Sequence, residues 1–388
     1  MTTEVETEVA ISPARRNLVI AGLMLGMALP AIDLLIVATA ASDISADLGE
    51  LGDFAWLFIG YQLTLVLAML VFGKLGDLYG RRRVFQTALA VFVAASMLAG
   101  ASTSFLVLVL ARMLQGFGGG AIMSLTQGVL ADITTPRERG RFAWVTPSVW
   151  AASSFLGPLL GGVLVDTVGW RWIFFLNLPF GLASAVCFGA AYHVPHERRE
   201  HRIDLAGAVL FVAALVPLML ALTWAGDRHT WGSPLIIAFL VGGGAAAVAF
   251  VVVERRAPEP LVPLHLFAHH VIRIATATHF FVGTSNFIVA LFLPLAVQVV
   301  AGGSATDGGL ALMPISVMIT LVATVVGRSV ARTGHYRFYP AAGNAAMAVG
   351  MLLLATIGPD STRWEIWSAT AVVGIGLGAG SAVLNLSI

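Results

Sequence analysis

Apolar residues run along this chain in long blocks separated by short polar stretches. Leu18–Ile32, Phe54–Phe72, Val84–Ala101 and Phe142–Val165 are four of these blocks. Each approaches the roughly 20 residues that carry a helix across a bilayer. No stretch alternates polar with apolar at period two, which argues against an outer-membrane barrel. The blocks predict an all-α, polytopic membrane protein with twelve spans. Their approximate bounds are 17–41, 54–72, 84–101, 105–131, 142–165, 172–192, 205–225, 235–253, 272–299, 308–330, 339–357 and 366–388.

The basic residues test that count. Alternate connections hold Arg15 and Arg16; Lys74 and Arg81 to Arg83; Arg137, Arg139 and Arg141; Arg198, Arg199 and Arg202; Arg255, Arg256 and Arg273; and Arg328, Arg332 and Arg337. The opposite connections hold only Arg171, Arg228 and Arg363. Basic loops stay cytoplasmic, so the pattern places the amino terminus inside a plasma or inner membrane, and a miscounted helix would have scrambled it.

Composition sharpens the picture. Of 388 residues, 58% are hydrophobic and 11% charged, against about a quarter charged in soluble domains. A net charge of +1 gives no reason to expect a nucleic-acid partner. One cysteine, Cys187, lies inside an apolar block, so no intrachain disulfide can form. Arg15 and Arg16 before an apolar run mimic a secretory signal, but the run is long and more spans follow, which reads as an uncleaved first helix. No phosphate loop, zincin motif, nucleophile elbow or metal-ligand cluster occurs, so neither an enzyme nor a bound metal or cofactor is expected.

The chain also repeats itself. Gly73 and Gly80 bracket the connection after the second span, and Gly327 and Gly334 bracket the connection after the tenth at the same spacing. The run Gly116-Phe-Gly118-Gly-Gly120-Ala121 in the fourth span is echoed by Gly374-Ile-Gly376-Leu-Gly378-Ala379 in the twelfth. Two parallel halves give this pattern. The expected organisation is a six-helix first half (1–192), two inserted helices (193–257) and a second half with four helices (258–388).

Few ionisable groups fall inside the spans. Asp33 lies deep in the first, where a carboxylate is costly unless it faces a cavity, finds a partner or takes up a proton. The alternative is a structural carboxylate bonded to a neighbouring helix. Arg112, Gln115, Gly116 and Gly119 share one face of the fourth span. The glycines admit another backbone, and Arg112 offers donors that cannot be neutralised, either to bias a nearby acid or to clamp helices. His279 in the ninth span reads more readily as a packing residue than as a proton carrier. Methionines including Met24, Met27, Met69, Met113 and Met123 could line an adaptable cavity, but their irregular spacing reads more readily as filling irregular gaps. In the fifth span, Ser153–Gly157–Gly161 and Ser154–Pro158–Gly162 form two adjacent small stripes suited to close helix contact, with Pro158 able to bend the helix. The string Gly73-Lys-Leu-Gly-Asp77-Leu-Tyr-Gly80-Arg81-Arg82-Arg83 reads as a loop whose glycines reverse the chain and whose acid pairs with the arginines.

These motifs together resemble the major facilitator superfamily, and within it the fourteen-helix drug:proton antiporters of the EmrB/QacA type. Gly73, Leu75, Asp77, Gly80, Arg81 and Arg82 are similar to the superfamily's G-x-L-x-D-x-x-G-R-[KR] signature. Arg112, Gln115 and Gly116, with Gly118 and Gly120, resemble its fourth-helix motif; Gly157-Pro158 with Gly161-Gly162 resembles the antiporter motif of the fifth helix. The stretch from Gly169 to Pro179, with Asp33-Leu-Leu-Ile36-Val37, Trp56 and Tyr61, is similar to the fourteen-helix branch, as is the connection from Glu254 to Phe267 after the inserted pair. The chain departs from the family pattern at Leu35, Ala38, Ala41-Ser42 and Ser153, and at Ala331 in the second copy of the loop.

The resemblance implies a major-facilitator-type helical bundle that works by alternating access, driven by the proton gradient and without a cofactor. It implies that Asp33 carries the proton and that Arg112 couples its charge to conformation. Gly73, Asp77, Gly80, Arg81 and Arg82 would latch one side, and Gly157, Pro158, Gly161 and Gly162 would control closure. The expected partners are the lipid bilayer and a hydrophobic or cationic small molecule to be exported, with accessory efflux proteins left open. A specific-metabolite transporter of the same fold, or a membrane sensor or assembly partner that binds without transporting, is the alternative. Because the glycine repeat sets the last span opposite the fourth, the chain is expected to be a piece of a longer transporter. Two further apolar spans encoded downstream of Ile388 are the check.

Overall fold

Lipid gives backbone amides nothing to bond to, so a chain this apolar must satisfy them within helices. The computed structural model describes residues 12–49, 55–134, 145–193, 204–226, 228–333, 338–359 and 361–384. Among these, apart from one bridge between Ala225 and His229, the regular structure is helical. In order the helices are α1 (Pro13–Thr39), α2 (Ala41–Leu48), α3 (Trp56–Tyr79), α4 (Arg81–Gly100), α5 (Phe105–Ile133), α6 (Val145–Val168), α7 (Trp172–Phe175) and α8 (Asn177–Ala191). Then follow α9 (Leu205–Trp224), α10 (Pro234–Glu254), a 3-10 turn at Leu264–Ala268, α11 (His270–Val299), α12 (Ala305–Ala311), α13 (Met313–Thr333), α14 (Phe338–Leu354) and α15 (Arg363–Leu384).

Local chemistry starts these helices where polar residues allow it. Ser104 accepts from the Val107 amide at the head of α5, and Asp204 accepts from Gly207 at the head of α9. Ser233 caps α10 with Pro234 behind it, and Ser304 forms a reciprocal capping box with Asp307 at the head of α12. Ten helices among the described residues are long and apolar enough to span a membrane. Phe338–Leu354, expected as the eleventh span, is a shorter apolar helix of 17 residues.

One sequence expectation needs correcting. The Gly73–Arg82 string is not a loop: α3 continues through Gly73, Gly76 and Asp77 to Tyr79, and Gly80 alone makes the turn before α4. Its φ of 90° lies in the region that only glycine occupies without strain. Likewise Gly327 lies within α13 rather than after it. The expected basic positions Arg137, Arg139, Arg141, Arg198, Arg199, Arg202 and Arg337, and Gly334, lie outside the described residues.

The chain forms two compact units that are discontinuous in sequence. The first comprises Met1–Pro30, Ala55–Pro147 and Leu176–Pro263; the second comprises Ala31–Phe54, Ser148–Phe175 and Leu264–Ile388. Helix α1 therefore contributes to both, changing over at Pro30. In the first unit, Val19, Leu23, Phe85, Phe92, Ile122, Leu125 and Phe188 make a buried core between α1, α4, α5 and α8. In the second, Val289, Leu293, Leu312, Ile315, Val373 and Leu377 make another between α11, α12, α13 and α15.

Helices in lipid associate by close packing, which small residues permit. Gly116 and Gly120, one turn apart on α5, lie against the backbone of α3 at Tyr61 and Leu65. Thr64 on α3 adds a hydrogen bond to the Met113 carbonyl on α5, 2.6 Å long. A Cβ at Gly120 would run into the Leu65 carbonyl, which cannot rotate away. Gly120→Ala should therefore cost about 1–3 kcal/mol by overpacking, read as a lower unfolding temperature in detergent, whereas Leu114→Ala on the exposed face should leave it unchanged.

Candidate functional site

In the first unit a charged cluster forms where α3, α4, α5 and α8 end or begin. Arg81, the first residue of α4, turns back over the end of α3. Its Nε and Nη2 donate to Asp77 Oδ1 at 3.0 and 2.7 Å, with the two residues one helical turn apart in number. Its Nη1 reaches Asp132 Oδ1 in the last turn of α5 at 2.5 Å and also donates to the Gly128 carbonyl. One guanidinium thus joins two carboxylates from two helices, in the fork geometry that lysine cannot supply. Gly128 makes room for it, since a Cβ there would sit 3.0 Å from Arg81 Cζ.

Tyr192 closes the cluster, its hydroxyl donating to Asp132 Oδ2 at 2.6 Å. Arg82 Nη2 donates to the Gly189 carbonyl on α8 at 2.6 Å. Gly73 lies against Ser124 on α5. Asp132 and Tyr192 were not singled out in the sequence. Asp132 lies one turn after Gly128 at the end of an apolar helix, outside any motif and outside the expected span 105–131.

Deeper in the same unit Arg112 is fully buried. Its Nη1 donates to Gln115 Oε1 at 2.8 Å, its Nε lies 3.4 Å from the Leu57 carbonyl, and its Cζ stands 4.0 Å from the centre of the Tyr61 ring. Gln115 Nε2 then donates to Ser96 Oγ on α4 at 3.2 Å, and Asn177 Nδ2 on α8 donates to the same oxygen at 2.8 Å. A polar chain therefore runs from Arg112 across three helices. Ser96 went unnoticed in the sequence because a lone serine in an apolar run carries no signal, and Asn177 was noted only for its place in a motif.

Asp33 belongs to the second unit and is also fully buried. Arg112 and Asp33 thus fall in different units. Around Asp33, helix α6 presents its two small stripes to different neighbours. Gly157 and Gly161 face Ile32, Leu35, Ile36 and Thr39 of α1. Pro158 and Gly162 face Gly309 and Ala305–Thr306 of α12, and Ser316 on α13 donates to the Ser154 carbonyl at 2.8 Å. Asp166, at the end of α6, accepts from the Thr306 amide at 2.9 Å and from its hydroxyl. Nearby, Trp170 Nε1 and Arg171 Nη1 both donate to Asp47 Oδ2, at 3.1 and 2.7 Å. His279 is exposed. No group of three His, Cys, Asp or Glu side chains able to hold a metal occurs among the described residues.

The family model for the Major Facilitator Superfamily matches residues 18–388. The chain belongs to that superfamily. Multidrug resistance protein 3 of Bacillus subtilis (strain 168) is 34% identical over 367 residues, covering 95% of this chain and 71% of that protein. Multidrug transporter protein MdtP of the same organism is 32% identical over 375 residues, covering 97% of this chain and 69% of its own length. The crystal structure of a D-xylose-proton symporter superposes with a TM-score of 0.60 at 13% identity, covering 96% of this chain and 86% of that one, a likeness of fold alone. This member of the Major Facilitator Superfamily is thus a multi-pass membrane transporter of small molecules and not an enzyme.

Two outcomes follow from the geometry. Asp132→Asn removes one charge of the Arg81 bridge and should lower transport more than Asp132→Glu, measured as initial uptake into vesicles; equal rates in both would remove Asp132 from the site. The hydrogen bonds from Arg171 and then Trp170 hold the Asp47 carboxyl below the usual carboxylate range. Its contribution to stability is therefore present at neutral pH and lost as the pH falls through that depressed value. Thermal unfolding of Asp47→Asn should show less acid sensitivity than the wild type below pH about 4.

Proposed function

We propose that this chain is a proton-coupled exporter of hydrophobic or cationic small molecules, working by alternating access in the cell membrane with its amino terminus in the cytoplasm. The observation that carries the reading is Asp33. Among the described residues the buried charged side chains are Asp33, Arg112 and Glu254, and Asp33 is the acid that lies inside a membrane span rather than at its end. An acid so placed is stable in two states, paired or protonated, and exchange between them converts a proton gradient into conformational bias. The names of the two Bacillus relatives, at 34% and 32% identity, support a drug-like substrate.

The other residues take roles around it. Arg112, held by Gln115 and Tyr61, keeps a fixed positive charge in the first unit and couples conformation to protonation. Asp77 and Arg81, with Asp132 as a third member, latch one face, with Gly73, Gly80 and Arg82 shaping it. Gly157, Pro158, Gly161 and Gly162 make the seal of α6 with α1 and α12. Arg15, Arg16, Lys74 and Arg81 to Arg83, set against Arg171, support the orientation.

The twelve-span count, and the division into a first half at 1–192, an inserted pair at 193–257 and a second half at 258–388, belong to the same reading. So does the fourteen-helix antiporter type, which rests on α9 and α10 as the inserted hairpin and not on where the chain stops. The proton gradient is the energy source.

The test is transport of several unrelated cationic dyes by proteoliposomes under an imposed pH gradient. Asp33→Asn should abolish gradient-driven dye movement while dye binding, followed by fluorescence, persists. Full gradient-driven transport by that variant would overturn the assignment. A Gly161→Leu variant should lose transport or leak protons, because its side chain would meet Thr39 and Ile36 of α1.

A further inference from the structure

The connection that follows the inserted hairpin is tied down at both ends, and neither tie belongs to the latch or the buried chain described above. Glu254, the last residue of α10, is 3% exposed. Its carboxylate accepts from the Leu261 amide through Oε1 and from the Val262 amide through Oε2, each at 3.2 Å. The same carboxylate lies against Gly207 in the first turn of α9, where an added Cβ would come within 2.8 Å of it. The chain therefore folds back so that residues 258–263 lie against the end of the hairpin they have just left.

The second tie reaches α3. Lys74 Nζ donates to the Glu259 carbonyl at 2.7 Å, lies 3.5 Å from the Pro260 carbonyl, and stands 3.8 Å from the Glu259 carboxylate. Lys74 is three residues before Asp77, so it sits on the same side of α3 as the acid that holds Arg81. Helix α9 packs against α3 as well. The inserted hairpin is thus fastened to the one end of α3 that carries the latch.

We propose that residues 258–263 act as a strap that couples the inserted hairpin to the Asp77–Arg81–Asp132 latch, with Lys74 as the positioning residue. This rests on the transport reading above. Any movement of the end of α3 that lifts the strap must break the Lys74 contacts to its carbonyls or strip Glu254 of its two amide donors. Removing donors from a buried carboxylate is expensive, so the strap holds the hairpin and the latch to one motion. Lys74 acts through its contacts to the Glu259 and Pro260 carbonyls, and its effect falls on the rate of the conformational step.

The experiment uses the full chain in proteoliposomes, with Cys187→Ser as background and Leu261→Cys, 9% exposed in the wild type, as a reporter for maleimide. Lys74→Met should raise the labelling rate of that cysteine and lower the maximal rate of pH-driven dye transport, each by about tenfold, the scale of one charge-assisted hydrogen bond. The dye concentration for half-maximal rate should not change. Lys74→Arg should restore both, and Glu254→Gln, which disrupts the other tie, should reproduce Lys74→Met if that variant does not fold. The double variant should be no worse than either single one. Unchanged labelling would show that Lys74 does not hold the strap, and faster labelling with unchanged transport would show that the strap does not act on the latch; either overturns the proposal. Absence of transport in the Cys187→Ser background itself would count against the transport reading, and labelling then decides the strap alone.

Discussion

Apolar side chains gain little by leaving lipid for the apolar surface of another helix, so association must come from how closely backbones can approach. That constraint organises both units. In the first, Gly116 and Gly120 bring α5 onto the backbone of α3. In the second, Gly157 and Gly161 bring α6 onto α1, while Gly162 and Gly309 bring α6 and α12 together. The large core residues, such as Phe85, Phe92 and Phe188, fill what remains around these contacts. Polar placement depends on the same contacts. Arg112 meets the Leu57 carbonyl and the Tyr61 ring because the glycine below it lets α3 lie so near.

Charges in such an interior persist only with partners, and the structure provides them in short relays. Arg81 is shared by Asp77, Asp132 and the Gly128 carbonyl, and Asp132 is shared in turn with Tyr192. Arg112 leads through Gln115 to Ser96 and Asn177. Each relay crosses from one helix to another, so a change in one helix cannot leave the others' hydrogen bonding untouched. Transport needs this property: a local change of charge has to be felt as a change of packing.

Much of the fold was legible in the sequence because a membrane span is a long, simple signal. The apolar blocks located α1, α3, α5, α9 and α10 to within a few residues, apart from the extra turns of α3. The glycine stripes were visible because four-residue spacing puts residues on one helix face. The Gly73–Arg82 string was misread as a loop because glycine and charge usually end a helix, whereas here helix geometry itself sets Asp77 beside Arg81. Asp132, Ser96 and Tyr192 could not be found by pattern. Their importance comes from which helix lies opposite, and pairings between distant segments leave no periodic trace along one chain. The fold-back of residues 258–263 onto Glu254 was hidden for the same reason.

The turn between α3 and α4 has a mechanical consequence. A single residue, Gly80, separates Tyr79 at the end of one helix from Arg81 at the start of the next, and the Gly80 amide still bonds to the Gly76 carbonyl. Most helix connections store slack that absorbs small displacements. Here none is stored. One residue joins the two helices, so a displacement of the end of α3 is passed directly to the start of α4, where Arg81 is held by Asp77 and Asp132. Any re-aiming of α4 against α3 must therefore pass through the φ and ψ of the residue that has no side chain.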